Sequence, residues 1–263
     1  MILEKSEELT YFQFSSFKQF PITQAIYTRK GGHSTGPWHS LNVGNTVGDD
    51  SQNVKLNLGK ILSEISYQER QLAQVKQVHS STVRIINKTN SPESELIEAD
   101  AMVTNNSGIL LFMRFADCVP IFLFDPENNA IGIGHAGWKG TVSKVSLELV
   151  RAMENEYGSL AKNIFAGIGP SIGPDHYQVG SEVAQHIKIS FPNQWQEMIY
   201  EDPDGVKLDL WKANKITLEN AGVENIEVSE ICTVCNLEDW FSHRGDCGKT
   251  GRFAAVIGLK NIK

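Results

Sequence analysis

The chain has 263 residues, with 24 Lys+Arg against 31 Asp+Glu and a formal net charge of −7. Hydrophobic residues make up 41% of it and charged residues 21%, a composition typical of a globular protein with a sizeable core. A pI of about 5.5 argues against a nucleic-acid-binding protein, because such proteins carry a strongly basic face.

The start of the chain has no pattern of a targeting segment. Residues 1–8 mix acidic with apolar side chains and lack the positive start and apolar core of a secretory signal. The longest apolar run, 119–124, is far shorter than the ~20 residues of a membrane-spanning helix. We therefore expect a cytoplasmic protein without membrane or nucleic-acid partners, present as a monomer or a homodimer. Its four cysteines are too few for a disulfide scaffold and are expected to be thiols.

Apolar and alternating runs predict a series of strands. They lie at 23–28, 74–79, 82–86, 109–115, 119–124, 130–135, 164–168, 226–231 and 252–257. The short Ser80-Ser81 connection between the second and third runs predicts a bend or a hairpin.

Fewer segments have the pattern of a helix. One is predicted to run to about residue 65, with Asp50 or Ser51 as its N-cap. Others are predicted at 142–157, 182–191 and 208–221. Thr141 and Ser181 are the expected N-caps of the first two of these. Because strands outnumber helices and alternate with them irregularly, we expect an α+β fold, a single domain (1–263) of mixed β-sheets with outer helices.

An acid and a thiol interrupt the apolar run 110–124. Asp117 and Cys118 stand there beside Pro120, which cannot join an interior ladder. Burying an acid costs several kcal/mol unless it is paired or faces a cleft. The pattern therefore predicts a break in the sheet that opens on a pocket; the alternative is a buried structural cysteine beside a turn.

A glycine-rich turn joins a strand to a helix at 130–141. Its free backbone N–H groups, the helix N-terminus and the charge of Lys139 would suit an anion, so the turn Gly134–Gly140 is a candidate phosphate cradle. The alternative is a tight turn with an incidental His135. The polar, aromatic-bearing loop 28–44, with Arg29 and Asn42, would suit a heterocycle and sugar hydroxyls, or is only a solvated connection.

Two isolated features have competing interpretations. His79 ends a strand-like run, where a lone histidine is more often structural than a ligand. The motif Cys232-Thr-Val-Cys235 with His243 and Cys247 superficially resembles a zinc knuckle. The apolar residues between these groups favour a core-anchoring segment instead, and a redox Cys-x-x-Cys lacks its usual strand-to-helix context.

The ordered set of motifs resembles one family over nearly the whole chain, from about Ala25 to Leu259. This is the family of bacterial purine nucleoside phosphorylases formerly described as polyphenol oxidases or laccase-domain proteins. The motifs that carry the resemblance are Thr28-Arg-Lys-Gly-Gly, Ser40-Leu-Asn-Val-Gly, Val47-Gly-Asp-Asp, Gln77-Val-His, Ala99-Asp-Ala, Ala116-Asp-Cys-Val-Pro, His135-Ala-Gly-Trp-Lys-Gly, Gly169-Pro-Ser-Ile-Gly, Val179-Gly, Cys232-Thr and Thr250-Gly-Arg. Each is weak alone, whereas the ordered set is specific.

The resemblance implies a metal site formed by His79, Cys118 and His135, with zinc as the expected ion and copper as the other possibility. It also implies a layered α/β/β/α fold. The implied activities are phosphorolysis of adenosine, inosine and methylthioadenosine to the free base and (methylthio)ribose 1-phosphate, with adenosine deamination beside it. Nucleoside and phosphate are the expected small-molecule partners.

The chemistry needs further residues beyond the metal ligands. We expect Asp117 or Asp100 to act as the catalytic acid, and Asn42 to bind substrate. Lys139 is the candidate phosphate ligand, although many relatives have Arg there, and Lys lacks the bidentate geometry of Arg. Arg244 or Arg29 would assist it. Arg244 stands alone where relatives often have paired arginines.

The same residues would also suit other functional classes. Cys118 with His135 or His79 could instead form the nucleophile and base of a hydrolase. A single-copper polyphenol oxidase and a non-enzymatic nucleoside-binding protein are further alternatives. A multicopper oxidase is not expected, because the chain has seven histidines and no His-x-His pair to hold a copper cluster.

Overall fold

The computed structural model describes residues 1–89 and 96–260, so part of the polar segment 87–98, expected to be a surface loop, lies outside the described residues. The strands are β1 (Ile2–Lys5), β2 (Thr10–Gln13), β3 (Ile22–Tyr27), β4 (Leu72–Ala73), β5 (Val83–Ile85), β6 (Ala101–Thr104), β7 (Leu110–Phe115), β8 (Val119–Asp125), β9 (Ala130–Ala136), β10 (Phe165–Ile168), β11 (Gln178–Val179), β12 (Ile199–Asp202), β13 (Gly205–Leu208), β14 (Asn225–Val228) and β15 (Phe253–Leu259). The helices are α1 (Ser51–Glu64), α2 (Trp138–Val142), α3 (Val145–Tyr157), α4 (Ser181–Ser190) and α5 (Leu210–Asn220).

Two mixed sheets stack face to face and carry helices on their outer faces. The first sheet has the order β1-β2-β3-β15-β7-β4 and the second β14-β10-β8-β9-β6-β5, with a small sheet β11-β13-β12 beside them. α1 covers the first sheet, and α3, α4 and α5 pack on the second. The expected α+β fold with α/β/β/α layers is therefore confirmed. None of the helices in the described ranges combines the length and apolarity needed to cross a membrane.

The sequence of the central strand β8 is a continuous apolar run because both of its faces are buried. Its side chains alternate between the two faces of the second sheet. Phe122 and Phe124 point into the aromatic core between the sheets, whereas Ile121 and Leu123 belong to the core under the helices. Because both faces are covered, both sets of side chains are apolar.

Of the bend or hairpin expected around Ser80-Ser81, the structure has a bend at His79 and no hairpin. β4 pairs with β7 in the first sheet, and β5 pairs with β6 in the second, so the segment between them crosses from one sheet to the other. Within it, the side chain of Gln77 bonds to the backbone N–H and C=O of Arg114 at 3.0 and 2.8 Å. A side-chain amide thus takes the place of a ladder partner, and the crossing segment brings His79 to the edge of both sheets.

The expected single helix 142–157 is interrupted at its start. α2 ends at Val142, Lys144 has a φ of 62°, and α3 begins only at Val145. Thr141 does not cap a helix, because it is buried and its hydroxyl accepts a hydrogen bond from Asn214 at 3.0 Å. Gly158, with a φ of 71°, ends α3 as the sequence predicts.

The other helix boundaries agree closely with the sequence. Asp50 caps α1 by accepting a hydrogen bond from the N–H of Gln52 at 2.7 Å. The N-cap of α4 is Gly180 rather than Ser181, and Asp209 caps α5.

Glu227 of β14 is expected to stabilise the protein in a pH-dependent way. Burial raises its pKa, but hydrogen bonds from the Met1 amino group, Ser16 and Ser15 outweigh that effect and lower the pKa to about 2. The stabilisation is therefore present above the ordinary pKa near 4.5 and is lost as pH falls towards 2. Glu227→Gln should lower the free energy of unfolding by about 1–3 kcal/mol at pH 7, measured by urea unfolding.

The difference between wild type and Glu227→Gln should shrink at pH 3. The matched control is Glu219→Gln, which breaks an exposed i,i+4 pair with Lys215. It should change stability by less than about 0.5 kcal/mol. A Glu227→Gln effect that stays constant from pH 7 to pH 3 would contradict the assignment.

Candidate functional site

Three side chains that are far apart in sequence converge where the chain passes between the two sheets. His79 lies on the crossing segment, Cys118 on the connection from β7 to β8, and His135 on β9, where it pairs with Pro120. Their donor atoms lie within 4.8 Å of one another. The structure thus brings together the three residues that the resemblance implies as metal ligands.

Gly137 leaves the space that the three donor side chains need to approach one another. A Cβ atom on Gly137 would stand 2.9 Å from the Cys118 Sγ atom and 3.2 Å from the His79 Cδ2 atom. Any side chain at this position would push the donors apart, because protein Cβ atoms do not tolerate contacts this short.

Asp100 is a fully buried carboxylate that holds two of the three donors. It accepts hydrogen bonds from the backbone N–H groups of Val78, His79 and Ser80 at 3.1, 2.9 and 2.6 Å. Its Oδ1 atom lies 2.9 Å from His135 Nδ1. Burial raises the pKa of Asp100, but the bonds from His135 and Ser80 outweigh it and lower the pKa to about 2. The ionised carboxylate therefore accepts a hydrogen bond from the N–H of His135 Nδ1. This leaves Nε2 of His135 available as a ligand.

The surroundings of the Cys118 thiol favour its ionised form, the thiolate. Burial raises its pKa, but the charge and hydrogen bond of His135, together with His79, lower it to about 6. The pKa of His135 is raised by the same pairing with Cys118 and by Asp100, although burial opposes this. Since the thiolate is the form of cysteine that binds metals, the site favours the required ionisation.

The donor set fits a zinc or copper ion. Two imidazoles and one thiolate are borderline and soft ligands, which these ions prefer to oxygen. Three protein ligands leave a fourth tetrahedral position for water or substrate, an arrangement found in catalytic rather than structural zinc sites. His79 is exposed and His135 is buried, so this open side faces the solvent.

The three donors line a cavity of about 760 Å³, which is in the size range of small-molecule sites. Its wall carries several cations, and aromatic side chains stand beside them. The cations are Lys76, Lys139, Arg114, Arg244 and Arg252, and the aromatic residues are Trp138 and Tyr177. This lining suits an anion together with a flat ring.

Besides the three candidate metal ligands, three other predicted residues line the cavity. Lys139 is exposed at its edge, and Arg244 donates from its guanidinium to the carbonyl of Gln178 at 3.1 Å. Asp117 accepts hydrogen bonds from Thr233 and from the backbone N–H of Arg244, both at 2.6 Å. A third bond comes from Ser242. The carboxylate of Asp117 thus anchors the C-terminal loop against the cavity wall.

Besides Asp100, two more of the predicted residues, Arg29 and Asn42, do not line the cavity. The guanidinium of Arg29 donates to the carbonyls of His39 and Leu237, at 2.8 and 2.9 Å, and stacks on a phenylalanine ring. Asn42 is buried and bonds to Asp49 and to the backbone of Arg252. Both side chains hold loops in place behind the cavity wall, and neither is among the residues that line it.

The proposed phosphate cradle has a weaker helix end than the sequence suggests. The helix after the glycine-rich turn, α2, spans only Trp138–Val142 before the break at Lys144. Its macrodipole is accordingly small, because the dipole is the sum of aligned peptide units. The charged side chains around the cavity therefore offer an anion a stronger electrostatic attraction than this short helix does.

Sequence reasoning assigned no role to two arginines of the cavity wall. Arg114 stands out as the one charged residue in the apolar run 110–115, which is a signal for it. Burial lowers its pKa to about 10, so it stays protonated at neutral pH. Within the described ranges, the guanidinium of Arg114 has one hydrogen-bond acceptor, the carbonyl of Val43 at 2.6 Å from Nε. Arg252 follows the Thr250-Gly motif, and nothing in its local pattern points to the cavity.

The chain is similar to several known proteins. The family described as "Multi-copper polyphenol oxidoreductase laccase" matches residues 23–260. A protein of Deinococcus radiodurans named purine nucleoside phosphorylase is 37% identical over 90% of this chain and 89% of its own. A protein of the same name from Bacteroides thetaiotaomicron is 30% identical over 97% of both chains. The crystal structure of YlmD from Geobacillus stearothermophilus superposes with a TM-score of 0.92, at 31% identity over 98% of both chains.

Asp100→Asn should weaken zinc binding without removing a ligand. The amide cannot accept from the whole set of backbone donors, and it cannot fix the Nδ1 proton of His135. Loss of such an orienting partner typically costs about 10–100-fold in metal affinity. Competition with a chromophoric chelator measures this affinity, and circular dichroism checks the fold.

The control is Asp125→Asn. Asp125 is also a buried carboxylate that accepts backbone N–H bonds, from Glu127 and Asn128, and it does not line the cavity. The Asp125→Asn variant should be less stable than wild type but should bind zinc with the same affinity. Equal zinc affinity of folded Asp100→Asn and wild type would contradict the role given to Asp100.

Proposed function

Because the chain belongs to the multi-copper polyphenol oxidoreductase laccase family, and curated relatives are named purine nucleoside phosphorylases, we propose that it is a metal-dependent purine nucleoside phosphorylase. Its substrates on this proposal are adenosine, inosine and methylthioadenosine, and its metal is zinc. One observation carries the proposal: the His79–Cys118–His135 cluster and the cationic wall face the same cavity.

Phosphorolysis places specific demands on such a cavity. A phosphate oxygen attacks C1′ of the ribose, the bond from C1′ to the purine nitrogen breaks, and the base leaves with the electron pair and takes up a proton. The products are the free base and ribose 1-phosphate. The cavity wall offers cations for the phosphate, the rings of Trp138 and Tyr177 for the purine, and exchangeable protons on Tyr177 and His243.

The phosphate ligands in this proposal are Lys139, Arg114 and Arg252, with Arg244 assisting. Arg114 is held by its Nε–H bond to Val43, and this bond leaves its two terminal nitrogens for a bidentate contact with phosphate. The charge of Lys139, on the glycine-rich turn, adds a single contact with the phosphate. This set supplies the bidentate geometry that Lys139 lacks.

The two acids act as positioning residues. Asp100 is ionised at neutral pH because its pKa lies near 2, so it cannot donate a proton to a leaving base. It orients His135 and the backbone of His79 instead. Asp117 fixes the backbone of Arg244 against the wall of the cavity.

Zinc held by the three donors would supply a Lewis acid beside the purine, which is the chemistry that adenosine deamination requires. Adenosine deamination to inosine is therefore the second activity in the proposal. The comparisons do not favour a Cys–His hydrolase that uses Cys118 as a free thiolate, because the curated relatives are named for phosphorolysis. The absence of any His-x-His pair argues against a multicopper oxidase.

Incubation of zinc-loaded protein with adenosine, with and without phosphate, tests both activities. Chromatography separates adenine, inosine and hypoxanthine. Phosphorolysis predicts adenine only when phosphate is present, and deamination predicts inosine in either case. Adenine that forms equally well without phosphate would indicate hydrolysis and contradict the proposal.

Lys139→Ala should raise the KM for phosphate much more than the KM for the nucleoside. The expected increase is about 10-fold or more, because a charge-assisted contact contributes about 1.5–3 kcal/mol. Initial rates at varied phosphate concentration measure it.

Lys249→Ala is the matched control for Lys139→Ala. Lys249 is equally exposed but does not line the cavity. It should leave both KM values unchanged. An unchanged phosphate KM in Lys139→Ala would remove Lys139 from the phosphate site.

A further inference from the structure

A second group of soft metal ligands lies outside the cavity. The side chains of His176, Cys232 and Cys235 bring one donor atom each to within 4.8 Å of the others. None of the three lines the cavity. The sequence had suggested His243 and Cys247 as partners of the Cys-x-x-Cys motif. In the described part of the chain, neither of these belongs to the group.

The two distances from nitrogen to sulfur in this group are those of a tetrahedral zinc site. His176 Nδ1 lies 3.7 Å from the Cys232 Sγ atom and 3.6 Å from the Cys235 Sγ atom. Zinc bonds of about 2.3 Å to sulfur and about 2.1 Å to nitrogen, at a tetrahedral angle, place the two donors about 3.6 Å apart. The same imidazole nitrogen faces both sulfurs, as a shared ion would require.

The backbone around Cys232 also suits a thiolate ligand. The N–H of Gly173 donates to the Cys232 Sγ atom at 3.2 Å. A Cβ atom on Gly173 would stand 3.1 Å from the Cys232 Cβ atom, so a glycine allows this close approach. A hydrogen bond from a backbone N–H to sulfur stabilises the ionised form that binds metals. All four cysteines are free thiols.

We propose that His176, Cys232 and Cys235 form a second zinc site. It has two thiolates and one imidazole, which favour zinc over the oxygen-seeking ions. His176 and Cys235 are exposed and Cys232 is buried, so a fourth ligand can come from water. The proposal does not rest on the proposed function, because no residue of this group takes part in the phosphorylase chemistry.

The second site would tie together two segments of the cavity wall. His176 precedes Tyr177, which lines the cavity, and the carbonyl of Gln178 accepts a bond from Arg244. On the other segment, Thr233 follows Cys232 and donates to Asp117 at 2.6 Å. A metal crosslink between these segments would stabilise the wall, as structural zinc sites do in other folds.

Zinc stoichiometry tests the proposal. Chelator-stripped protein is kept reduced with a phosphine, dialysed against buffered zinc and assayed by plasma mass spectrometry. Wild type should hold about two zinc ions per chain and Cys235→Ser about one, because a thiolate ligand is lost. Cys247→Ser replaces another exposed cysteine and should still hold two. His176→Gln provides a second variant at an exposed position.

Cobalt substitution provides a second readout that does not depend on the number of zinc ions per chain. The thiolate-to-cobalt charge-transfer absorbance should be greatly reduced in Cys235→Ser, because two of the three ligating thiolates belong to this group. It should be unchanged in Cys247→Ser. Circular dichroism confirms that each variant is folded.

Two results would overturn the proposal. They are equal zinc content in wild type and folded Cys235→Ser, and a Cys232–Cys235 disulfide that persists in the presence of the reductant. Enzyme activity is not a readout here. A chain that holds two zinc ions but cleaves no nucleoside would uphold the second site while refuting the proposed function.

Discussion

One buried carboxylate determines the geometry of the candidate site. Asp100 is fully buried, and an unpaired charge there would cost several kcal/mol. It is compensated by three backbone N–H groups of the crossing segment and by His135. The same bonds that satisfy the carboxylate hold His79 at a left-handed φ of 63° and fix the tautomer of His135. Removing the charge would release two of the three converging donors, His79 and His135, at once.

The layered fold explains why the site lies where it does. The chain passes from the first sheet to the second between β4 and β5 and again between β7 and β8. His79 lies on one crossing and Cys118 on the other, while His135 lies on β9 next to β8. Connections between stacked sheets leave the ladder, so their side chains and backbone groups are available for ligands. Asp117, at a φ of 79°, makes the turn of the second crossing.

The charge of the cavity differs from that of the whole molecule. The chain is acidic overall, with a net charge of −7, but five cations line the cavity. Arg114 is held there by β7 and by Val43, and Arg244 by the loop that Asp117 anchors. A local concentration of positive charge attracts an anion although the average surface repels it. Net charge is informative about polyanion partners, which need a broad basic face, but it says little about a small anionic substrate.

Composition and pattern by themselves determined the α+β class, most strands, both ends of α1 and the C-terminal end of α3, because periodicity and caps are local properties. The three candidate ligands followed from the family resemblance, since their spacing carries no signal. Only the tertiary structure decided that Asp100 bonds to His135 and to the backbone of His79, that Arg29 and Asn42 lie behind the wall, and that Cys232 and Cys235 meet His176. Each of these depends on strand pairing and loop crossings that bring distant residues together. Burial then decides which partner a polar group must take.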